Sequence, residues 1–297
     1  MTDGSVCAVL VTFHPDVDLV RRAVAAVRPQ VDALVVVDNA STKLADALTG
    51  ADAVLLTQQS NGGLAAAQNI GIEWARDHRH SHVLIMDQDS LAGPEMVQAL
   101  LTGWRALAAK TKVGAVGPRY RDPRDEQDAP FVQVGFPRNH KLWCDETHAH
   151  VPCDFLISSG VLIPIAVLDD VGGMDEGLFI DNVDVEWSFR ARSQGYELFG
   201  VCSARMQHQL GADRQPLLGG RQQVVHGPQR LYFIMRNRVA LYRRRHTPRA
   251  WIAQDLPRVA MKFLIFSLLV GPRRPNAHHM FRGLVDGVRG RSGRCPL

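Results

Sequence analysis

Residues 82–90 have the sequence HVLIMDQDS, in which a short apolar run is followed at once by two carboxylates. The run 82–86 predicts a buried β-strand, and Asp87 and Asp89 come directly after its end. A short strand that is apolar on both sides is typical of a sheet covered on both faces. This stretch therefore predicts the interior of an α/β fold.

The same pattern extends along the first half of the chain. Further strands are predicted at 6–12, 33–37, 53–57 and 113–117, and helices at 17–27, 43–48, 63–77 and 94–109. This alternation predicts a mostly parallel sheet flanked by helices. Ligands of such sheets bind beyond the carboxyl ends of the strands, so we expect Thr12, Asp38 and Asp87 to meet at one rim.

The second half of the chain changes character near residue 226. Before that point the pattern predicts a hairpin and loop at 118–152 with a strand at 131–136, strands at 155–163 and 197–202, and a helix at 184–194. After it the pattern predicts basic helices at 232–245 and 251–270. We therefore expect an α/β domain over residues 1–225 and a basic helical extension over residues 226–297.

Charge is distributed unevenly along the chain. Residues 219–297 contain 16 of the 34 Lys and Arg but only two of the 30 Asp and Glu, a net charge of +14, whereas residues 1–218 carry −10. A basic segment on an acidic body indicates contact with phosphate in a nucleic acid, an anionic lipid or a phosphorylated substrate. Nucleic acid is the least supported of the three, because no known binding module accompanies the basic residues.

The composition is that of a folded soluble protein, with 46% hydrophobic and 22% charged residues. Five Cys, at 7, 144, 153, 202 and 295, include no CxxC pair, which argues against a disulfide framework or structural zinc and fits a reducing cytoplasm. The first residues lack the basic region of a signal peptide. The apolar run 263–270 is shorter than the about 20 residues that a membrane span needs. We therefore expect a cytoplasmic protein.

Asp87 and Asp89 are candidates for two different tasks. One carboxylate can bind the sugar hydroxyls of a nucleotide, and the other can bind a hard divalent cation that bridges a diphosphate. A polar turn that caps the next helix, with Ser90 as a local cap, explains the same residues equally well. The spacing alone does not separate the two interpretations.

Three more segments carry candidate chemistry. Asn61, Gly62 and Gly63 open a helix, where backbone approach and the helix N-terminus favour an anion, although a tight strand–helix turn would need the same residues. The segment 179–187 holds three acids that supply a general base or merely begin a helix. His208 follows a strand, where a single His is more often structural than a metal ligand.

The order of these segments resembles the family 2 glycosyltransferases, and within them most closely the bacterial rhamnosyltransferases of surface-polysaccharide assembly. The motifs are VTFHP, VDNAS, NGGLAAAQNIG, MDQDS, SSGVLIP, DNVDVEW and HQLG, spread over about residues 6–245, with a weaker match at 283–290. The resemblance implies a GT-A fold, a nucleotide-diphosphate sugar donor, a divalent cation (Mg²⁺ or Mn²⁺) and inversion at the anomeric carbon.

The resemblance also implies donor-binding residues. Thr12 and Asp38 would line the nucleobase pocket, Asn61, Gly62 and Gly63 would lie against the nucleoside, and Asp87 would approach the ribose. Asp89 and His208 would bind the cation. Tyr232, Arg236 and Asn237 resemble a segment found near the donor phosphates.

Asp184 matches the second acid of the family's Glu-Asp motif and would be the general base. Val183 stands where the family has Glu, and Asp181 lies three residues upstream, so both Asp181 and Asp184 remain candidates. The register of the motif favours Asp184. By the same register Glu186 and Trp187 would lie at the acceptor.

Together these features predict a metal-dependent inverting glycosyltransferase that moves L-rhamnose from dTDP-rhamnose to a hydroxyl of a lipid-linked or surface-polysaccharide acceptor. One alternative is a nucleotidyltransferase that makes sugar nucleotides, but the first strand is followed by VTFHPDVD rather than by a Gly-rich basic loop. A second alternative is a non-catalytic scaffold of GT-A type at the membrane, against which the retained Asp89, Asp184 and His208 argue.

The basic helices predict a peripheral contact with the inner face of the cell membrane. The segment 251–270 combines Trp251, Phe263, Phe266 and several Leu with Arg258 and Lys262, as an in-plane amphipathic helix does. The alternatives are that the same apolar residues pack on the α/β domain or form a homodimer.

Overall fold

The computed structural model describes residues 4–41, 48, 50–125, 127–145, 147–208, 213–216 and 222–296. The strands are β1 (Val6–Thr12), β2 (Ala33–Asp38), β3 (Val54–Thr57), β4 (His82–Asp87), β5 (Ser90–Ala92), β6 (Val113–Arg121), β7 (Phe131–Gln133), β8 (His140–Leu142), β9 (His150–Cys153), β10 (Val161–Pro164), β11 (Glu197–His208), β12 (Asp213–Pro216) and β13 (Gln222–Val225). The α-helices are α1 (Val17–Val27), α2 (Leu64–Asp77), α3 (Met96–Ala108), α4 (Ile165–Val171), α5 (Val183–Ser193), α6 (Pro228–Tyr242), α7 (Arg249–Leu268) and α8 (Arg273–Val288).

A single large sheet organises the described part of the chain. Its strands follow the order β3-β2-β1-β4-β10-β6-β11-β5, and β9 also pairs with β11. The first four strands of this order are parallel to one another, and β10 inserts antiparallel between β4 and β6. The predicted α/β class with a mostly parallel sheet and flanking helices is confirmed.

Both faces of the sheet are buried, as the sequence of β1 requires. All seven residues of β1 are buried, and because side chains alternate along a strand they divide between two cores. Cys7, Val9 and Val11 belong to the core on one face, and Val6, Ala8 and Leu10 belong to the core on the other. The sheet is therefore a central layer, and its polar residues are confined to the strand ends.

The register brings polar strand ends together. Thr12 pairs with Asp38 across β1 and β2, and Val11 pairs with Asp87 across β1 and β4. Thr12, Asp38 and Asp87 thus lie along one edge of the sheet. This is the rim that the alternation of strands and helices predicts.

The second half of the sheet departs from the predicted boundaries. The strand predicted at 155–163 is confined to β10, and the one predicted at 197–202 continues to His208. This extension follows from pairing, because the far half of β11 is held by β6 on one side and β5 on the other. Of the helix predicted at 43–48, residues 43–47 lie outside the described residues.

The C-terminal helices pack around a third core, to which Leu231, Met235, Phe266 and Met280 contribute. The helices predicted at 232–245 and 251–270 correspond to α6 and α7, whereas α8 was not predicted. Its sequence RRPNAHHMFRGLVDGV is poor in apolar residues. Its glycines explain its packing instead. A Cβ on Gly283 would lie 2.4 Å from the carbonyl oxygen of Tyr232, so α8 approaches α6 more closely than a larger residue would allow.

The expectation about the cysteines was wrong in one respect. Cys144 and Cys202 form a disulfide although they are 58 residues apart in sequence. Residue spacing does not report which strands are neighbours, and this pair is brought together because β11 carries Cys202 past the segment that follows β8. Cys7, Cys153 and Cys295 are free. Among the described residues no helix is both long and apolar enough to span a membrane.

Candidate active site

The rim begins at Thr12 and Asp38, whose side chains bond to each other. The Thr12 hydroxyl donates to Asp38 Oδ1 at 3.0 Å, and both residues are buried. The backbone N–H and the hydroxyl of Ser41 also donate to the Asp38 carboxylate, at 2.8 and 2.6 Å. The turn after β2 is therefore built around this carboxylate.

The turn at residues 60–63 lies next to the rim. The Asn39 side-chain oxygen accepts a hydrogen bond from the Gly62 N–H at 2.8 Å, and Asn61 accepts one from the Gly63 N–H at 2.9 Å. Gly63 has φ +95°, and a Cβ there would lie 2.6 Å from the carbonyl oxygen of Phe179. Glycine is needed here because the loop containing Phe179 crosses directly over the start of α2.

Asp87, Asp89 and His208 form one cluster. Their ligand atoms all lie within 4.8 Å of one another, and His208 Nδ1 is 3.3 Å from Asp89 Oδ1. The two carboxylates come from the end of β4, and the imidazole comes from the end of β11, which pairs His208 with Ser90. Two carboxylate oxygens with one imidazole are ligands that suit Mg²⁺ or Mn²⁺. The donor set therefore fits the cation that the family implies.

The electrostatics of the cluster reflect crowded negative charge. The pKa of Asp87 is raised to about 6, chiefly because the carboxyl group is buried; the charges of Asp89 and Asp184 contribute to the increase, and the charge of His208 opposes it. For His208, burial lowers the pKa, but the hydrogen bond to Asp89 and the charges of Asp87 and Asp89 outweigh it, so the pKa is raised. A bound cation would relieve this repulsion.

Ser90, which the sequence suggested only as a local cap, supports the cluster together with Ser159 and Tyr120, which the sequence did not single out. The Asp87 N–H donates to Ser159 Oγ at 3.2 Å, the Ser159 hydroxyl donates to Ser90 Oγ at 2.5 Å, and Ser90 Oγ lies 2.7 Å from His208 Nδ1. The Tyr120 ring stands edge-on to His208, with centroids 6.0 Å apart. The motif SSGVLIP contains Ser159, but the spacing of the motif does not indicate that Ser159 bonds to Ser90.

Asp181 and Asp184 occupy different surroundings. Asp181 is paired with Arg230 at 3.0 Å. Among the described residues no Lys or Arg pairs with Asp184, a half-buried residue in the first turn of α5. Burial raises the pKa of Asp184, and the charge of Asp181 adds to the effect. Of the two acids, Asp184 is the one whose carboxylate is not neutralised by an ion pair.

The loop at residues 177–182, which precedes Asp184, is held by α6. Phe179, Asp181 and Asn182 in this loop have φ between 61° and 65°, a region that non-glycine residues rarely occupy. The Asn237 side-chain nitrogen lies 2.7–2.9 Å from the carbonyl oxygens of Leu178, Ile180 and Asp181. These bonds help to maintain a backbone conformation that is otherwise unfavourable.

Arg236 is buried against the backbone of the 177–182 loop, and its role in donor binding stays a prediction. It is 1% exposed, and its guanidinium donates to the carbonyl oxygens of Gly177, Leu178 and Gly293. These hydrogen bonds of the guanidinium thus go to backbone groups of the 177–182 loop and of the C-terminal segment. Arg236, like Asn237, therefore holds the backbone of this loop.

Glu186 and Trp187, which the resemblance places at the acceptor, are both buried, and their role at the acceptor stays a prediction. Glu186 is fully buried and pairs with Arg190 and Arg244 at 2.9 and 2.8 Å. The Trp187 indole N–H donates to the carbonyl oxygen of Gly172 at 3.0 Å. For Glu186 the physical reason is helical geometry, because residues two apart on a helix lie on nearly opposite sides. With Asp184 towards the rim, Glu186 points into the core.

Comparisons with known proteins show which family this chain is similar to. Residues 8–163 match the family model for glycosyl transferase family 2. The dTDP-rhamnosyl transferase RfbF of Shigella flexneri is 28% identical over 299 residues, 98% of each chain.

Solved structures match the fold. A structure of GalNAc-T7 with UDP, GalNAc and Mn²⁺ has a TM-score of 0.59 at 14% identity, over 96% of this chain and 56% of that one. Residues 1–349 of S. aureus TarS have a TM-score of 0.58 at 15% identity, over 96% of this chain and 81% of that one. At these identities the likeness concerns the fold, which is that of the GT-A glycosyltransferases.

Proposed function

The chain belongs to glycosyl transferase family 2, and from this premise we propose that it transfers L-rhamnose from dTDP-rhamnose to a hydroxyl of a glycan acceptor, with inversion at the anomeric carbon. The observation that carries the proposal is the cluster of Asp87, Asp89 and His208 beside the half-buried Asp184 at the carboxyl ends of the strands. The choice of sugar is supported by the similarity to RfbF along nearly the whole chain.

The donor would lie along the rim. Thr12 and Asp38 shape the turn that would enclose the nucleobase, and the backbone at Asn61, Gly62 and Gly63 would contact the nucleoside. Asp87, nearest to β1, would approach the ribose. The resemblance to the family implies these roles, and the residues lie along the edge where the parallel strands end, as ligand-binding residues of such sheets do.

A divalent cation, Mg²⁺ or Mn²⁺, would be held by Asp89 and His208 with Asp87 beside them, and when bound it would neutralise the charge that develops on the leaving diphosphate. Ser90 and Ser159 would orient His208 through their hydrogen bonds. The structure of GalNAc-T7 that shares the fold was solved with Mn²⁺ and UDP, which supports this use of the site.

Asp184 would act as the general base. It would accept the proton of the acceptor hydroxyl while the hydroxyl oxygen bonds to the anomeric carbon, and the bond from that carbon to the diphosphate oxygen breaks on the opposite side. One displacement of this kind inverts the configuration. The raised pKa of Asp184 suits this task, because a base with a higher pKa accepts a proton more readily.

The test is a donor panel read by product. The purified chain with Mn²⁺ is given dTDP-rhamnose and other nucleotide sugars, and the released nucleoside diphosphate is measured. We expect release from dTDP-rhamnose, its loss on addition of a chelator, and its loss in Asp89→Ala but not in Asp77→Ala, which removes an exposed carboxylate at the end of α2.

Four other results of the donor panel would contradict parts of this proposal. Preference for a different donor would refute the rhamnosyl assignment while leaving the family intact. Release of pyrophosphate would indicate a nucleotidyltransferase, and no product from any donor would indicate a non-catalytic scaffold. A rate unchanged by chelator would contradict the metal site.

A further inference from the structure

The outward side of α7 is apolar from end to end. Ala253, Leu256, Ala260, Met261, Leu264 and Leu268 are all exposed, and their spacing of three or four residues places them on one stripe of the helix. We call this stripe the α7 face. Its four large side chains are 52–60% exposed. At 1.5 Å per residue the stripe is about 22 Å long.

The exposed residues differ from those expected to contact a membrane. Trp251 and Phe266 are buried. Trp251 packs beside Phe189 in the core that contains Val9, and Phe266 lies in the third core. They anchor α7 to the protein. This leaves the opposite side of the helix unpartnered among the described residues, and single exposed Leu residues elsewhere on a surface do not form a stripe of this kind.

Basic residues flank the α7 face. Arg249 is exposed at its start, and Arg273 and Arg274 are exposed just beyond its end. None of these three has an ion-pair partner among the described residues. Residues 219–297 contain only two acids, Asp255 and Asp286, which are 2% and 0% exposed. Asp255 is paired with Arg238, and Asp286 is paired with Arg282. The exposed surface of the C-terminal helices therefore has positive charge and no negative charge.

We propose that the α7 face docks on an anionic lipid bilayer, with α7 lying in the plane of the interface and the flanking arginines on the lipid headgroups. A bilayer supplies both an apolar layer for the stripe and negative charge for its ends. Because it rests on the exposure and charge of these residues, this docking does not depend on the reaction or on the donor proposed above.

A second copy of the chain fits the same face less well. In a symmetric dimer the same surface would appear on both sides of the contact, so the arginines at the ends of the face would meet arginines of the other copy with no exposed acid to pair with. Like charges placed together in an interface oppose association. The face also offers no hydrogen-bonding side chain, which protein interfaces of this size normally carry.

The side of α7 opposite to the stripe faces the protein. Lys262 lies on the side of α7 turned away from the stripe, and its Nζ is 5.4 Å from the centroid of the Phe266 ring. Burial and the charges of Arg238 and Arg230 lower its pKa to about 8, while Asp181 raises it. Lys262 therefore lies on the side of the helix that is turned towards the protein.

The experiment is flotation of the full chain with vesicles of phosphatidylglycerol and phosphatidylcholine, and with vesicles of phosphatidylcholine alone. We expect the chain to float with the anionic vesicles at low salt, to be released at high salt, and to bind phosphatidylcholine much more weakly. Leu264→Glu should lower the bound fraction by about tenfold or more, because it puts a charge in the apolar stripe.

Matched variants separate the face from general effects. Ala25→Glu adds the same charge to an exposed position of α1 and should bind as the parent does. Arg273→Ala with Arg274→Ala should weaken binding to anionic vesicles, whereas Arg138→Ala with Lys141→Ala, both exposed on the β7–β8 hairpin, should not. Thermal unfolding should show that Leu264→Glu is folded.

Three results would overturn the proposal. One is a parent chain that stays with the soluble fraction in the presence of anionic vesicles. Another is Leu264→Glu floating as well as the parent. The third is a concentration-dependent dimer, seen by sedimentation without vesicles and abolished by Leu264→Glu, together with no vesicle binding; it would assign the face to contact between copies.

Discussion

At the scale of single residues, Asp181 and Asp184 show how surroundings divide two acids that sequence leaves equivalent. They are three residues apart, yet Asp181 is paired with Arg230 and Asp184 is not paired with a cation among the described residues. An ion pair lowers the basicity of a carboxylate, whereas burial raises it. The surroundings therefore favour Asp184 as the base, in agreement with the motif register.

This contrast makes a kinetic prediction. Asp184→Asn should lower kcat by about a hundredfold or more, at the lower end of general-base effects, with donor KM nearly unchanged. A protonated Asp184 cannot accept a proton, so kcat of the parent should fall as pH decreases through the raised pKa of Asp184. That fall should occur above the pH of about 3.9 at which an unperturbed Asp titrates.

The measurement is kcat against pH at saturating Mn²⁺ and donor. Asp181→Asn serves as the control and should keep both substantial activity and the fall in kcat at acid pH, whereas the residual activity of Asp184→Asn should lack that fall. An inactive Asp181→Asn beside an active Asp184→Asn would show that the base is Asp181.

At the scale of elements, helix α6 sets the conformation of the 177–182 loop. Its Arg236 and Asn237 donate hydrogen bonds to backbone carbonyl oxygens of this loop. The resemblance connected these residues with the donor phosphates, but their atoms contact the backbone leading to Asp184. Their effect on catalysis would thus be indirect, through the position of α5.

The contacts of α6 with this loop predict different effects for two matched substitutions. Asn237→Leu keeps a similar volume but removes the donor shared by three carbonyl oxygens, and it should lower the free energy of unfolding by about 1–3 kcal/mol. It should also lower kcat more than it raises donor KM, because Asp184 would be displaced. Gln229→Leu makes the same amide-to-leucine change at an exposed position of α6 and should alter neither quantity.

Thermal unfolding and steady-state kinetics test the pair together. A destabilised Asn237→Leu that retains full kcat would show that these bonds support the fold without positioning the base. Equal effects of the two substitutions would show that the helix, rather than the Asn237 amide, is responsible.

At the scale of the whole molecule, the C-terminal helices are tied to the α/β core at several separate points. Arg244 donates to Glu186 at 2.8 Å, the Gly293 N–H donates to the carbonyl oxygen of Gly177 at 2.8 Å, and Arg294 donates to Ser60 at 2.7 Å. Glu186 is fully buried. The boundary at residue 225 stays a prediction, but these contacts indicate that the two parts depend on each other.

Truncation tests this dependence. A chain ending at residue 225 would leave Glu186 without the Arg244 partner and the 177–182 loop without α6, so we expect it to be unfolded or aggregated. Removing one partner of a buried charge pair typically costs about 3–5 kcal/mol. The full chain should unfold in one calorimetric transition. A truncated chain with a cooperative melt and metal-dependent donor hydrolysis would instead establish an independent domain.

The sequence alone was sufficient for the α/β class and for the position of Asp87 and Asp89 at the end of a buried strand. Strand type follows from short apolar runs that need burial on both faces, and Asp87 and Asp89 belong to the rim because they end such a run. These are local properties. They depend on the period of a strand or helix and on the few residues beside it.

The tertiary structure decided the properties that depend on distant partners. Ser159 supports His208, Cys144 meets Cys202, and Glu186 is buried because Arg190, Arg244 and His246 surround it. None of these partners is implied by spacing along the chain. Sequence patterns report which residues prefer burial or turns, whereas the energy of a hydrogen bond or ion pair depends on a few ångströms of separation, and the packing of strands and helices sets that separation.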